Sequence, residues 1–293
     1  MDFLFSRLGD WIDSWLKEGL IKAVLNIYAG IFTDLNSQVG DIANQVGSTP
    51  GQWNPGVFSM VRNLSETIVI PVAGVILTFV VCYELIQMIV DRNNMHNSDT
   101  FELFKWVFKT FFAVYMLTHT FDIVIGIFEV AQKVVADSAG LIQGSLAISM
   151  DDALTAMKDS LEAMSTFEIL GVFLEALVFK LLMFVMTVAI FILVYGRMIE
   201  IYCAVSIAPL PLSTLANKEW GQIGHNYLKS LFALAFQGFL ILVCVAIYAV
   251  LIQTVPLTDN MHLAVLSRVG YTALLVFALY KTAALSKSVF NAH

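Results

Sequence analysis

The sequence predicts an all-α, polytopic membrane protein, and three observations carry that expectation. Of 293 residues, 58% are hydrophobic and only 13% are charged, whereas soluble domains carry about 25% charged residues. The mean hydropathy is +0.79, so lipid must solvate part of the surface. The apolar residues also gather into runs of about 20, the length that crosses about 30 Å of hydrocarbon at about 1.5 Å per residue.

Residues 1–56 are expected to form an amphipathic N-terminal helix and a Gly/Pro linker on the outer face. Leu4, Leu8, Trp11, Ile12, Trp15, Val24, Ile27, Ile31 and Leu35 recur at helical steps, with Arg7, Asp10, Asp13, Lys17 and Glu18 on the other side. Trp11 and Trp15 then act as interfacial anchors. The same stripe also suits a helix docked on the protein's own spans. GSTPGQWNPG (47–56) ends the helix with its prolines and glycines. Four acidic residues in the first twenty (Asp2, Asp10, Asp13, Glu18) leave no signal-like apolar core, so internal spans are expected to direct insertion.

Residues 57–293 read as the transmembrane helical domain. Apolar runs at about 67–90, 109–130, 169–195 and 231–254, and a fifth at about 263–283 carrying Arg268, are each long enough to span. Lipid offers backbone groups no hydrogen bonds, so each run is expected to be a helix. Between the second and third, an extracytoplasmic loop is expected at 131–168. There Met150, Leu154, Met157, Leu161 and Met164 form a stripe opposite Asp151, Asp152, Lys158, Asp159 and Glu162, behind Ser149 as N-cap.

The segment 197–217 is apolar, yet Pro209 and Pro211 forbid a regular helix near 206–216. It reads as a sixth span or as a broken element that enters and returns, and the Lys/Arg asymmetry favours the second. With the N-terminus outside and no crossing there, the inner side holds Arg92, Lys105, Lys109, Arg197, Lys218, Lys229, Lys281 and Lys287. The outer side near the spans holds Arg62, Lys133 and Arg268. A crossing erases that bias. The expected topology is about five spans in the cell membrane, with the C-terminus cytoplasmic.

No Walker-type loop, GxSxG elbow or HExxH motif occurs, and the histidines have no metal-ligand spacing. No enzyme activity, catalytic residue, metal or cofactor is therefore expected, although bound phospholipid suits such a protein. Cys82, Cys203 and Cys244 lie in apolar stretches and read as small buried hydrophobes. Ionisable groups inside the spans cost about 2.5–3.5 kcal/mol each on insertion scales. Tyr115, His119, Asp122 and Glu129 fall at helical steps on one face of the second run, with Glu84 in the first and Glu175 and Lys180 in the third. They read either as a polar, hydrated intramembrane seam or as structural pairs between helices. Asp122 and Lys180 lie at matching depth if both helices are continuous, which makes them an expected pair. Gln237 and Gln253 are expected interhelical hydrogen-bond partners.

At the broken segment, SIAPLPLSTLANKEWGQIGHNYLKSLFALAFQG (206–238) resembles the signature region of the TrbL family. These are polytopic membrane-channel subunits of conjugative type IV secretion systems, related to the sixth VirB component. TIVIPVAGVILTFVVCYELIQMIVDRNN (67–94) is similar to members from Gram-positive conjugative elements. The likeness rests on Pro209 and Pro211, then Asn226 and Lys229, then Gln237 beside a glycine, with Arg197 and Glu200 leading into the break. It implies a non-enzymatic, homo-oligomeric channel or assembly subunit of the DNA-transfer machine. The implied partners are traffic ATPases, a coupling ATPase, a bitopic scaffold subunit and a relaxase–single-stranded DNA substrate in transit. No basic stripe of the kind that tracks single-stranded DNA is present. The rival readings are a secondary transporter, for which no internal repeat is found, or another ion-conducting membrane protein, and an accessory assembly factor without a conduit.

Overall fold

In the computed structural model, residues 2–90, 100–142, 151–253 and 261–292 are described. Among them the chain is 94% helical with no strand. Four helical stretches are long and apolar enough to cross a membrane: Pro55–Val90, Thr166–Ile207, Gly221–Ile252 and Leu266–Val289. Leu103–Thr118 and Thr120–Ser138 make a fifth if this bent pair is one span. Arg92, Ser149 and Met150 lie outside the described residues. The chain forms two compact units.

The first unit comprises Met1–Asn44, Ser138–Leu193 and Leu242–Tyr280. It holds most of α1 (Asp2–Gly47), α7 (Asp151–Ala163) and the first part of α8 (Thr166–Ile207). Ile21, Val24, Tyr28 and Ile31 of α1 are buried at steps of three, four and three, one face of a helix. Lys17 Nζ donates to the Glu162 carbonyl at 3.0 Å, and Gln38 Nε2 donates to Thr187 Oγ1. From the end of α7 onward the paired positions rise together, so α1 runs parallel to the first part of α8. Trp11 and Trp15 stay exposed, while the helix docks on protein from Ile21 onward. On the exposed side of α1, the Lys22 ammonium donates to Glu18 and holds its carboxyl below the usual range.

Met157 and Leu161 of α7 are buried, as the stripe requires. A capping box starts α8: the Ser165 N–H and hydroxyl both donate to Glu168 Oε2, at 2.8 and 2.9 Å. The end of α10 (Gly221–Gln253) and the start of α11 (Met261–Val289) complete this unit, with the Tyr248 and Thr272 hydroxyls 2.9 Å apart.

The second unit comprises Gln45–Asp137, Val194–Ile241 and Lys281–His293. Two short helices open it. Pro50 and Pro55 each sit in a first turn, where a missing N–H costs nothing, in α2 (Pro50–Trp53) and α3 (Pro55–Leu64). Thr49 and Asn54 cap them. This linker is anchored rather than loose. The Tyr202 hydroxyl donates to the Pro50 carbonyl at 2.6 Å, and Trp53 packs edge-on against Tyr195 at 5.5 Å.

After α3 the helix widens into a π turn, Ser65–Val69, and continues as α4 (Ile70–Val90). Pro71 explains the widening, because its ring cannot sit against the carbonyl four residues back in a regular turn. α5 (Thr100–Thr118) and α6 (Thr120–Ile142) follow. The core gathers Phe121, Val124 and Phe128 of α6 with Met198, Ile201 and Val205 of α8, and Leu231, Leu234 and Ala235 of α10.

Candidate functional site

The expected break lies at the tip of a helical hairpin made by α8 and α10. The stretch 198–207 is neither a sixth span nor a loop: it continues α8 to Ile207. Pro209 and Pro211 then fit only the first turn of a new helix, the single-turn α9 (Pro209–Leu212). Ser213 Oγ donates to the Leu210 carbonyl at 2.6 Å, and Thr214 Oγ1 to the Pro211 carbonyl at 2.7 Å. These hydroxyls satisfy carbonyls while the chain tightens into a 3-10 turn, Ser213–Ala216. Asn217 Oδ1 accepts the N–H groups of Glu219 and Trp220 at 2.7 and 3.1 Å and turns the chain into α10.

The returning helix passes close to the break. Gly224 N donates to Thr214 Oγ1 at 3.2 Å. A Cβ on Gly224 would lie 2.8 Å from the Pro211 carbonyl oxygen and 2.6 Å from Leu215 Cγ. Only glycine fits there.

This tip is wedged between α4 and α5. Leu210 and Ala216 pack on Ala73, Leu77 and Val80 of α4 and Leu117 of α5. Glu84, towards the C-terminal end of the apolar α4, is satisfied on both oxygens. Lys109 Nζ of α5 donates to Oε1 at 2.9 Å, and Asn217 Nδ2 donates to Oε2 at 2.6 Å. Gln87 Nε2 donates to Glu219 Oε1 at 2.8 Å, and Trp220 stacks with Phe79 and Tyr83. An ionised carboxylate is tolerated in low dielectric when it is paired and hydrogen-bonded. Irregular backbone within a bundle likewise persists only where protein satisfies it. The two requirements meet in Asn217.

Further up the hairpin, Arg197 is 3% exposed. Its Nη2 donates to the Ala235 carbonyl at 3.3 Å, while Nε and Nη1 have no partner. The guanidinium lies over Gly238, where a Cβ would be 2.8 Å from Nη2. The glycine of the glutamine–glycine pair thus makes room for the arginine. The neighbouring Gln237 Nε2 donates to Thr282 Oγ1 of α11 at 3.4 Å.

The seam expected along 109–130 needs correcting. That run is not one helix: α5 and α6 meet at His119 with a bend of 71°. Thr118 Oγ1 donates to the Val114 and Tyr115 carbonyls, and Thr120 Oγ1 to the Met116 carbonyl. His119 Nδ1 lies 3.1 Å from the Tyr115 carbonyl, and its ring stacks on Tyr115 at 4.4 Å. Three adjacent side chains thus compete for the carbonyls of one turn, which bends a helix without proline. Tyr115 and His119 end one helix, and Asp122 and Glu129 belong to the next.

Asp122 also takes a different partner from the expected Lys180. Arg62 Nη2 donates to Asp122 Oδ1 at 2.9 Å and Arg62 Nε to Glu66 Oε1 at 2.8 Å, with the guanidinium 5.3 Å from the Phe121 ring. The depth estimate assumed an unbroken helix. Glu129 and Lys180 are exposed, Glu175 is half-buried, and Asn226 accepts from Gln222 Nε2 at 2.9 Å. Lys229 and Glu200 lie on the hairpin, half-buried and exposed.

Asn217, Gln87, Glu219 and Trp220 were missed as a set, although an N-x-E-W sequence after two prolines is itself an Asx-turn signal. Among the described residues, no group of His, Cys, Asp or Glu side chains could hold a metal ion.

No curated protein and no solved structure matches the chain. A family model described as "TrbL/VirB6 plasmid conjugal transfer like protein" matches residues 35–209, from α1 to the first proline of the break. Its span covers Glu84, Lys109, Arg197 and the α5–α6 bend. The chain therefore belongs to the TrbL/VirB6 plasmid conjugal transfer-like family, the membrane components of conjugal transfer machinery.

Proposed function

We propose that the chain is a non-enzymatic channel or assembly subunit of a conjugative DNA-transfer machine, with the α8–α10 hairpin tip as its structural anchor. The observation that carries this reading is the polar lock of Asn217 on Glu84 and Lys109, which ties the broken segment to α4 and α5. Such a lock holds helices in register, which suits a scaffold. The partners would be the traffic and coupling ATPases, the bitopic scaffold subunit, further copies of this chain and the relaxase–single-stranded DNA substrate in transit.

The topology proposed with it places the N-terminus and 131–168 outside and the C-terminus in the cytoplasm. The eight-to-three Lys/Arg bias supports it. So does the tip: Asn217 sits at Glu84, towards the C-terminal end of α4, which places Lys218 near that end of α4. The test replaces Pro209 and Pro211 together by alanine. Membrane-inserted protein is expected at wild-type level, with DNA transfer falling to background in a mating assay. Wild-type transfer would reduce the tip to packing. Solute uptake by vesicles holding this chain alone would favour a transporter instead.

A further inference from the structure

Below the tip network, α8, α10 and the end of α11 enclose a pocket of about 170 Å³. Its charged members are Glu200 and Lys287, its hydroxyl members are Tyr227 and Ser230, and Ala204, Leu231 and Leu234 give it an apolar wall. Glu200 and Lys287 are exposed and share this one small space, yet no ion pair joins them among the described residues. The pocket thus offers a carboxylate and an ammonium to one molecule that carries both signs, and the buried Arg197 guanidinium also acts on Glu200 from behind. The hydroxyls add no donor. Tyr227 donates to the Ala204 carbonyl and Ser230 to the Asn226 carbonyl, so each keeps only its lone pairs towards the cavity.

The pocket is also held open by its own walls. The Tyr227 bond ties α10 to α8, and Ser286 Oγ donates to the Ala233 carbonyl, tying α11 to α10. Asn291, at φ 50°, closes α11 by returning the Ala292 N–H to the Lys287 carbonyl at 2.9 Å. That cap places Ala292 in the lining and fixes the end of the helix that carries Lys287.

We propose that this pocket binds the headgroup of a zwitterionic phospholipid with a primary ammonium, a phosphoethanolamine lipid. The ammonium faces Glu200, the phosphate faces Lys287, and the glycerol end lies on the leucine wall. A primary ammonium donates three hydrogen bonds to a carboxylate, which a trimethylammonium headgroup cannot do. A glycerol headgroup brings no cation for Glu200. The site is independent of any role in DNA transfer.

The experiment uses the full chain, purified in detergent and exchanged into nanodiscs holding equal amounts of phosphatidylethanolamine, phosphatidylcholine and phosphatidylglycerol. Lipids retained on re-extraction are counted by native mass spectrometry. The wild type is expected to retain phosphatidylethanolamine about tenfold over either competitor, roughly one charge-assisted hydrogen bond's worth of selectivity. Glu200→Gln should abolish the preference over phosphatidylcholine, and Lys287→Met should lower retention of both zwitterionic lipids.

Glu200→Asp, which keeps the carboxylate, should keep part of the preference for phosphatidylethanolamine, and this conservative variant keeps the test sharp if Glu200→Gln folds poorly. Free phosphoethanolamine, added as a soluble probe, should compete only weakly because it lacks the acyl anchor. Equal retention of the three lipids by the wild type would overturn the proposal. So would a preference that survives both single substitutions, or full displacement by free phosphoethanolamine.

Discussion

Two helices of the second unit are interrupted within apolar stretches, and they are interrupted in opposite ways. At the α8–α10 tip the chain stops at prolines, and seven of the ten residues from Ala208 to Asn217 are buried, with the Ser213 and Thr214 hydroxyls bonded to carbonyls of the turn. At the α5–α6 bend no proline is present, and Thr118 and His119 are exposed, flanked by the buried Leu117, Thr120 and Phe121. The first break takes its polar partners from other helices, whereas the turn of the second is shaped by hydroxyls and a ring bonded to carbonyls of the same helix. A break fixed from outside is rigid and costly to disturb, whereas one fixed from within is cheap to change. The tip therefore reads as an anchor and the bend as a joint.

The sharpest way to break the comparison is at Asn217. Asn217→Ala strands Glu84 Oε2 and two backbone N–H groups, and should destabilise the protein by about 2–4 kcal/mol. Equilibrium unfolding in mixed micelles measures this, and a double cycle with Glu84→Gln should show strong coupling. Losses that simply add would mean that the two side chains do not act on each other.

Gly224→Ala comes next. Its Cβ meets the Pro211 carbonyl, a backbone atom with little freedom to retreat, so about 1–3 kcal/mol should be lost by the same measurement. A neutral result would mean that α10 shifts freely against the tip, and the anchor reading would fail.

The smallest effect is expected at the bend. Thr118→Val with Thr120→Val removes hydroxyls that hold carbonyls already within helix reach, and stability should change by less than about 1 kcal/mol. Geometry should change instead. Spin labels on α5 and α6, in a background without Cys82, Cys203 and Cys244, should move apart as the 71° bend opens. Unchanged distances would assign the bend to packing rather than to the threonines.

These two breaks also mark what could be read in advance. Proline has one physical meaning inside a helix, so Pro209 and Pro211 announced the tip. Run length likewise announced the four single spans. Threonine and histidine are ordinary helix residues, and their joint effect depends on rotamers that no periodicity records. The second run therefore looked continuous, and that error carried Asp122 to the wrong partner. Arg62 precedes the apolar run, so it counted only as an outer-side charge and not as a partner for Asp122. Glu84 was found by its cost in lipid, but its partner Asn217 lies 133 residues further along the chain. Nothing local signals that.

The length of α8 has a consequence of its own. Its 42 residues make a rod of about 63 Å, twice the thickness of about 30 Å that lipid tails provide. Apolar side chains are exposed from Phe167 through Leu181 and Phe191 to Ile199 and Ile207, nearly its whole length. Tilt does not absorb the excess: at about 40°, the steep end of what spans adopt, the rod still reaches across about 48 Å. A bilayer alone thus leaves well over 10 Å of greasy helix facing water. Within a larger machine the same overhang is a natural splice point, where neighbouring protein takes over from lipid as the solvent.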